Sequence, residues 1–178
     1  MRLFVASDLH GSAYYTRLVT QAFVEEKADI LVLLGDIYNH GPRNPFPRDY
    51  SPMEVAEELN KFARQLVVVQ GNCDSKVDEM ISQFQFVNMS QMFVGNKKIT
   101  FTHGDVFNQE NIPQAVGDVL CYGHFHTAFV EQKDGLIVAN PGSVSLPKDE
   151  KRAFLIIDEK GVFLKDLERK NVIKEQKF

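Results

Sequence analysis

The sequence predicts an α/β fold, and three of its features carry that prediction. Short, nearly continuous apolar runs alternate with helical patterning through the first half. After about residue 85 the pattern changes to strands joined by short turns. Residues that can hold a metal ion stand where several of the apolar runs stop.

Residues 3–6, 30–34 and 66–69 are the apolar runs of the first half, the pattern of strands buried on both faces of a parallel sheet. Between them, residues 13–26 set Tyr14, Leu18, Val19, Ala22 and Phe23 on one helical face, which reads as core. A second helix has Ser51 as N-cap, Pro52 in its first turn and Glu54 three residues past the cap. A further helix is expected from Ser75, capped by Asp74. In the second half, residues 91–94 and 99–103 flank Gly95-Asn96-Lys97, and 129–132 and 136–139 flank Lys133-Asp134-Gly135. A last pair, 153–157 and 162–167, surrounds Glu159-Lys160-Gly161, and 119–122 is one more apolar run. From Lys170 the chain is polar and is expected to fray. The reading is βαβαβ followed by a strand-rich half with two sheets: one domain over residues 1–170 and a polar tail at 171–178.

Composition narrows the function classes. A chain of 178 residues favours one domain and buries roughly 70% of its unfolded surface. With 44% hydrophobic and 25% charged residues, collagen-like, disordered and low-complexity classes are excluded. Two cysteines, Cys73 and Cys121, make no disulfide scaffold; Cys121 reads as core and a cytoplasmic location is expected. The apolar stretch at residues 3–6 is too short for a signal-peptide core, and no segment approaches the ~20 residues of a membrane span. A net charge of −4 supplies no polyanion-binding patch, so nucleic acid is not the expected partner.

The polar residues at the strand ends carry the chemistry. Residues 3–6 run into Asp8 and His10, 30–34 into Gly35-Asp36, and 66–70 into Gly71-Asn72. Residues 99–102 run into His103-Gly104, and 119–122 into Gly123-His124-Phe125-His126. Open α/β sheets bind ligands outside the carboxyl ends of their strands, so these residues are expected to converge. Four of the five histidines occupy such positions. In an extended chain residues i and i+2 point the same way about 7 Å apart, which lets Asp8/His10 and His124/His126 each offer two ligands to one cavity. Asp8, His10, Asp36, Asn72, His103, His124 and His126 are too many ligands for one tetrahedral ion and suit two ions sharing a carboxylate. Carboxylates, an amide and imidazoles favour Mn²⁺, Fe, Zn²⁺, Co²⁺ or Ni²⁺ over Ca²⁺ or Mg²⁺. Two divalent ions against Asp8 and Asp36 leave an excess of about two positive charges, for which phosphate is the natural guest. Such a pair can hold a bridging hydroxide that attacks phosphorus.

Together, Asp8-Leu9-His10, Gly35-Asp36, Gly71-Asn72-Cys73-Asp74, His103-Gly104 and Gly123-His124-Phe125-His126 resemble the calcineurin-like metallophosphoesterase superfamily. The run Gly35-Asp36-Ile37-Tyr38-Asn39-His40-Gly41-Pro42-Arg43-Asn44, with Asn140-Pro141-Gly142-Ser143, is similar to its small bacterial phosphodiesterase branch, the YfcE family. The resemblance covers residues 1 to about 147. It implies an α/β/β/α sandwich of two sheets and a phosphodiesterase loaded with two divalent ions, Mn²⁺ foremost. By position it implies Asp8, His10 and His126 on one ion, Asn72, His103 and His124 on the other, and Asp36 bridging. Relatives assemble into dimers or larger forms, so a homo-oligomer, dimer or tetramer, is expected.

Two departures from the superfamily pattern bear on the reaction. Cys73 stands where the pattern has a histidine that is a candidate general acid, and Asn39 stands where an aspartate supports that histidine. A thiol is a weaker acid than imidazolium, so the expected substrates are esters with good leaving groups, such as aryl phosphates, and small phosphodiesters for which the metal site does most of the work. His40, where the superfamily has arginine, is either an acid or phosphate contact or a plain loop histidine. Arg43 is either solvated or a substrate contact. Many relatives carry histidine where this chain has Asp105. Two rival readings accompany the enzyme: a weakly catalytic scaffold, since the fold resembles the scaffold subunit of an endosomal coat, and a nuclease. A complete ligand set speaks against the first and the charge of −4 against the second.

Overall fold

A computed structural model describes residues 1–178. Strands β1 (Leu3–Ala6), β2 (Ile30–Leu33) and β3 (Leu66–Val69) pair in parallel, with Phe4 beside Leu31 and Val32 beside Val67. Helices α1 (Ala13–Glu25) and α2 (Pro52–Asn60) connect them. The short strand β4 (Phe86–Val87) adds in parallel beside β3. A second sheet follows in β5 (Ser90–Val94), β6 (Lys97–Phe101), β7 (Val119–Cys121), β8 (Ala128–Lys133) and β9 (Leu136–Pro141), ordered β5-β6-β7-β9-β8. The chain then returns to the first sheet as β10 (Ala153–Asp158), β11 (Gly161–Asp166) and β12 (Val172–Lys177), giving the order β12-β11-β10-β1-β2-β3-β4.

Strand alternation divides the apolar runs between two cores. Leu3, Val5, Val32 and Leu155 face Ile99, Phe101, Cys121 and Ala139 of the second sheet. Phe4, Leu31, Leu33 and Phe154 face the helices, where Phe4 stacks on Phe154 at 4.3 Å and meets the edge of Phe23 at 6.2 Å. Each fully buried side chain of this kind contributes about 1.5–3 kcal/mol, so β1 is held from both faces. In α1, Tyr15, Val19, Ala22 and Phe23 are buried while Tyr14 and Leu18 sit at the margin, and Ser12 Oγ accepts from Tyr15 N at 3.3 Å as the N-cap.

Three local expectations are corrected. Ser51 stands at the N-cap of α2 without a side-chain cap bond, and Glu54 pairs with Arg17 across the helix interface at 3.1 Å. No α-helix follows Ser75; only a single 3₁₀ turn, Asp78–Met80, forms, and Asp74 points inward. The polar end of the chain does not fray: β12 pairs antiparallel with β11 along Gly161↔Lys177 through Lys165↔Val172. The two-sheet sandwich has one helical layer. Over the outer face of the small sheet, where Leu120, Tyr122 and Val138 gather, residues 102–118 form no helix.

Candidate metal centre

The carboxyl ends of β1, β2, β3, β6 and β7 open onto one crevice, and five residues there adopt left-handed backbone. They are Asp8, His10, Asp36, His124 and His126, with φ of 57°, 48°, 54°, 64° and 61°. Each costs on the order of 1 kcal/mol or more and persists only where its surroundings hold it. The Asp8 carbonyl accepts Ser143 Oγ at 2.8 Å and Ser145 Oγ at 2.9 Å, and Asn140 Nδ2 donates to the Gly123 carbonyl at 2.8 Å. Asp74 accepts the backbone N–H groups of Asp36, Ile37 and Gly71, each at 2.8 Å, which clamps the end of β2 to the end of β3. A Cβ on Gly71 would stand 2.3 Å from Asp36 Oδ1, so only glycine admits the Asp36 carboxylate there. The ligand pairs therefore converge through left-handed turns, not through the extended i, i+2 geometry expected from spacing.

Ring orientations follow from the outer hydrogen bonds. Nδ1 of His10, His103 and His126 lies 2.8, 2.7 and 2.7 Å from the carbonyls of Asn39, Leu34 and Leu146. A carbonyl only accepts, so each Nδ1 carries the proton and each Nε2 presents its lone pair inward in the neutral ring. His10 Nε2 and His126 Nε2 face each other at 3.1 Å; His103 Nε2 lies 3.0 Å from Asn72 Oδ1 and 3.2 Å from His124 Nδ1. Asp36 reaches both groups, with Oδ2 at 3.7 Å from His10 Nε2 and Oδ1 at 3.5 Å from His103 Nε2. Asp8 Oδ1, fully buried and without a hydrogen-bond partner, lies 3.3 Å from His126 Nε2 and 3.7 Å from His10 Nε2. Inward lone pairs around an orphaned carboxylate oxygen fit divalent cations. Asp8, His10 and His126 form one candidate ligand group, and Asp8, Asp36 and His103 another.

Electrostatics show the same crowding. Burial opposes charge on Asp8, yet His126, His103 and His10 hold its carboxyl down at about 2. Burial likewise opposes protonation of His103 and His126, and the neighbouring carboxylates outweigh it, raising both. His124 is lowered by burial and by His103. Burial raises Asp74 to about 6 against its three backbone donors. Cys73 is pushed up to about 12 by burial and by Asp36.

A cavity of about 670 Å³ opens over Asp36, with Asn39, Arg43, Asn72, Cys73 and Lys148 on its walls. A second, of about 500 Å³, lies on the far side of Asn72, against His103 and Asp105. His40 does not join the cavity over Asp36: its ring packs on Phe46 at 4.4 Å and Tyr50 at 5.4 Å. Asn39 Oδ1 is bound by Gly41 N at 2.8 Å. Arg43 is exposed at the rim, and Arg48 lies over the Tyr14 ring at 3.5 Å. Sequence reasoning missed Lys148, Ser145, the bond from Ser143 to the Asp8 carbonyl and the clamp at Asp74. The run Gly71-Asn72-Cys73-Asp74 held the signal for Asp74, whose cap-like residue type concealed its role.

This fold with this cluster defines a metallophosphoesterase centre. The calcineurin-like phosphoesterase superfamily domain matches residues 1–161, and the chain belongs to that superfamily. It is 45% identical over 150 residues to the phosphodiesterase YfcE of Escherichia coli K12, covering 83% of this chain and 82% of the relative. The probable metallophosphoesterase YsnB of Bacillus subtilis is 28% identical over 157 residues, 83% of this chain and 78% of that one. Among solved structures, YfcE, a phosphoesterase from E. coli, superposes with a TM-score of 0.95 at 38% identity over 99% of both chains. Vacuolar protein sorting 29 from Cryptosporidium parvum shares the fold alone, with a TM-score of 0.71 at 19% identity over 99% of this chain and 97% of its own.

Proposed function

We propose that this chain is a metal-dependent phosphodiesterase that hydrolyses small phosphodiesters and aryl phosphates. The observation that carries the reading is the orphaned Asp8 Oδ1 facing the inward lone pairs of His10 and His126, with Asp36 reaching across to His103. Two divalent ions, Mn²⁺ foremost with Zn²⁺, Fe, Co²⁺ and Ni²⁺ as alternatives, supply a water-derived nucleophile and positive charge for the phosphoryl oxygens when bound. Asp8, His10 and His126 would hold one ion and Asn72, His103 and His124 the other, with Asp36 within reach of both.

Arg43 and Lys148, on the cavity wall, draw in an anionic ester. Cys73 keeps its proton through burial and the Asp36 charge, which makes it a poor donor to a departing alkoxide. Asn39 is occupied by Gly41 N, and the packing of His40 on Phe46 and Tyr50 counts against its donating a proton. Esters whose leaving groups need no proton are therefore favoured. The free thiols Cys73 and Cys121 support a cytoplasmic setting. A homo-oligomer, dimer or tetramer, completes the proposal.

The test is Asp36→Asn. Aryl phosphodiester turnover falls at least about a hundredfold, since loss even of outer-shell support costs 10- to 100-fold, while the circular dichroism is retained. Undiminished turnover would contradict the assignment.

A further inference from the structure

We infer that Cys73 gives this centre a soft donor, so that thiophilic ions such as Cd²⁺ and Zn²⁺ are held by Cys73 Sγ together with His10 and Asp36. The inference rests on the metal-centre reading above and extends it to a ligand outside the seven residues already assigned. One donor atom from each of His10, Asp36 and Cys73 lies within 4.8 Å of the other two. His10 and Asp36 are buried, and Cys73 stands on the cavity wall. The residue is held in place: Cys73 N donates to Asp36 Oδ1 at 2.8 Å, and Asn72 Nδ2 donates toward Sγ at 3.3 Å. Independently, the unpartnered and fully buried Asp8 Oδ1 lies 3.7 Å from His10 Nε2, which marks that nitrogen as facing a cation position.

Softness then sorts the metals. Mn²⁺ prefers oxygen and imidazole and leaves the thiol protonated, whereas Zn²⁺ and Cd²⁺ gain from thiolate. On their binding the Sγ–H bond breaks, the proton leaves to water, and the freed electron pair forms the bond to the ion. Cys121 lies in the core between the sheets and cannot substitute.

The test titrates the metal-free full chain with Cd²⁺, and separately with Mn²⁺, following sulfur-to-cadmium charge-transfer absorption in the ultraviolet. The wild type develops the band in proportion to bound Cd²⁺. Cys73→Ser lacks it and binds Cd²⁺ on the order of ten- to a hundredfold more weakly, with Mn²⁺ affinity unchanged. Cd²⁺ binding without the band, or a band that survives in Cys73→Ser, would overturn the inference and leave the phosphodiesterase reading standing. Binding of neither metal would overturn both. Alkylation of wild-type Cys73 by iodoacetamide, mapped by mass spectrometry, covers the case of an unfolded variant. Cd²⁺ slows it at least about tenfold relative to Mn²⁺, and equal rates would overturn the inference.

Discussion

Asp8 and the imidazoles around it set the pH behaviour of the metal-free protein. The folded Asp8 carboxyl sits at about 2 against an ordinary 3.8, so its stabilisation is present above 3.8 and is lost as pH falls toward 2, roughly 2 kcal/mol in all. His103 and His126 are raised above 6.5, so theirs is full below 6.5 and is lost as pH rises through the folded values. Asp74, raised from 3.8 to about 6, has the same sign: its contribution is full below 3.8 and is lost as pH rises from there through about 6. The metal-free chain is thus most stable near pH 4, where Asp8 is ionised and Asp74 still holds its proton. Thermal denaturation of metal-stripped protein across pH checks this, and stability rising steadily through neutral pH would contradict it. Metal binding needs neutral imidazoles and opposes the loss on the alkaline side. All seven proposed ligands were legible as residue types, because aspartates, an asparagine and histidines at the ends of apolar runs have few structural uses together. The left-handed backbone of five of them was not, since aspartate and histidine, unlike glycine, do not announce a positive φ.

The elements carry that geometry to the site, and the junction of β2 with β3 is where it can be broken. Gly71 has ordinary backbone, so Gly71→Ala is a steric test free of conformational strain: its new Cβ meets Asp36 Oδ1 at 2.3 Å and Asp36 N at 2.4 Å. The substitution lowers stability by about 1–3 kcal/mol and displaces Asp36, with turnover falling more than stability alone explains. Chemical denaturation beside kinetics at a temperature where the variant is folded checks it; full activity would show that β3 can retreat without moving Asp36. Strands β1, β2 and β3 were legible because burial on both faces leaves continuous apolar runs. Strand β12 was not. Its exposed residues, Val172 and Ile173 followed by Lys174-Glu175-Gln176-Lys177, belong to an edge strand, and hydropathy records burial, not pairing. The helix expected at Ser75 failed because Asp74 spends its carboxylate on Asp36, Ile37 and Gly71.

At the scale of the whole molecule, two sheets share one core and bring strand ends from both to a single crevice, so neither half holds a complete donor set. The motif order along the chain made this legible; the irregular cover over the small sheet at residues 102–118 was not, because no periodicity marks it. A chain of net charge −4 presents no overall attraction to a polyanion. Single-stranded DNA added to the metal-loaded enzyme therefore leaves aryl diester hydrolysis unchanged, and inhibition that strengthens as salt is lowered would point to a nuclease. The most direct measurement of the central claim is hydrolysis of a chromogenic aryl phosphodiester and its matching monoester by metal-stripped protein, before and after Mn²⁺ is restored. Diester turnover that appears only with Mn²⁺ and clearly exceeds monoester turnover is the predicted result, and no turnover of either ester with Mn²⁺ demonstrably bound would contradict it.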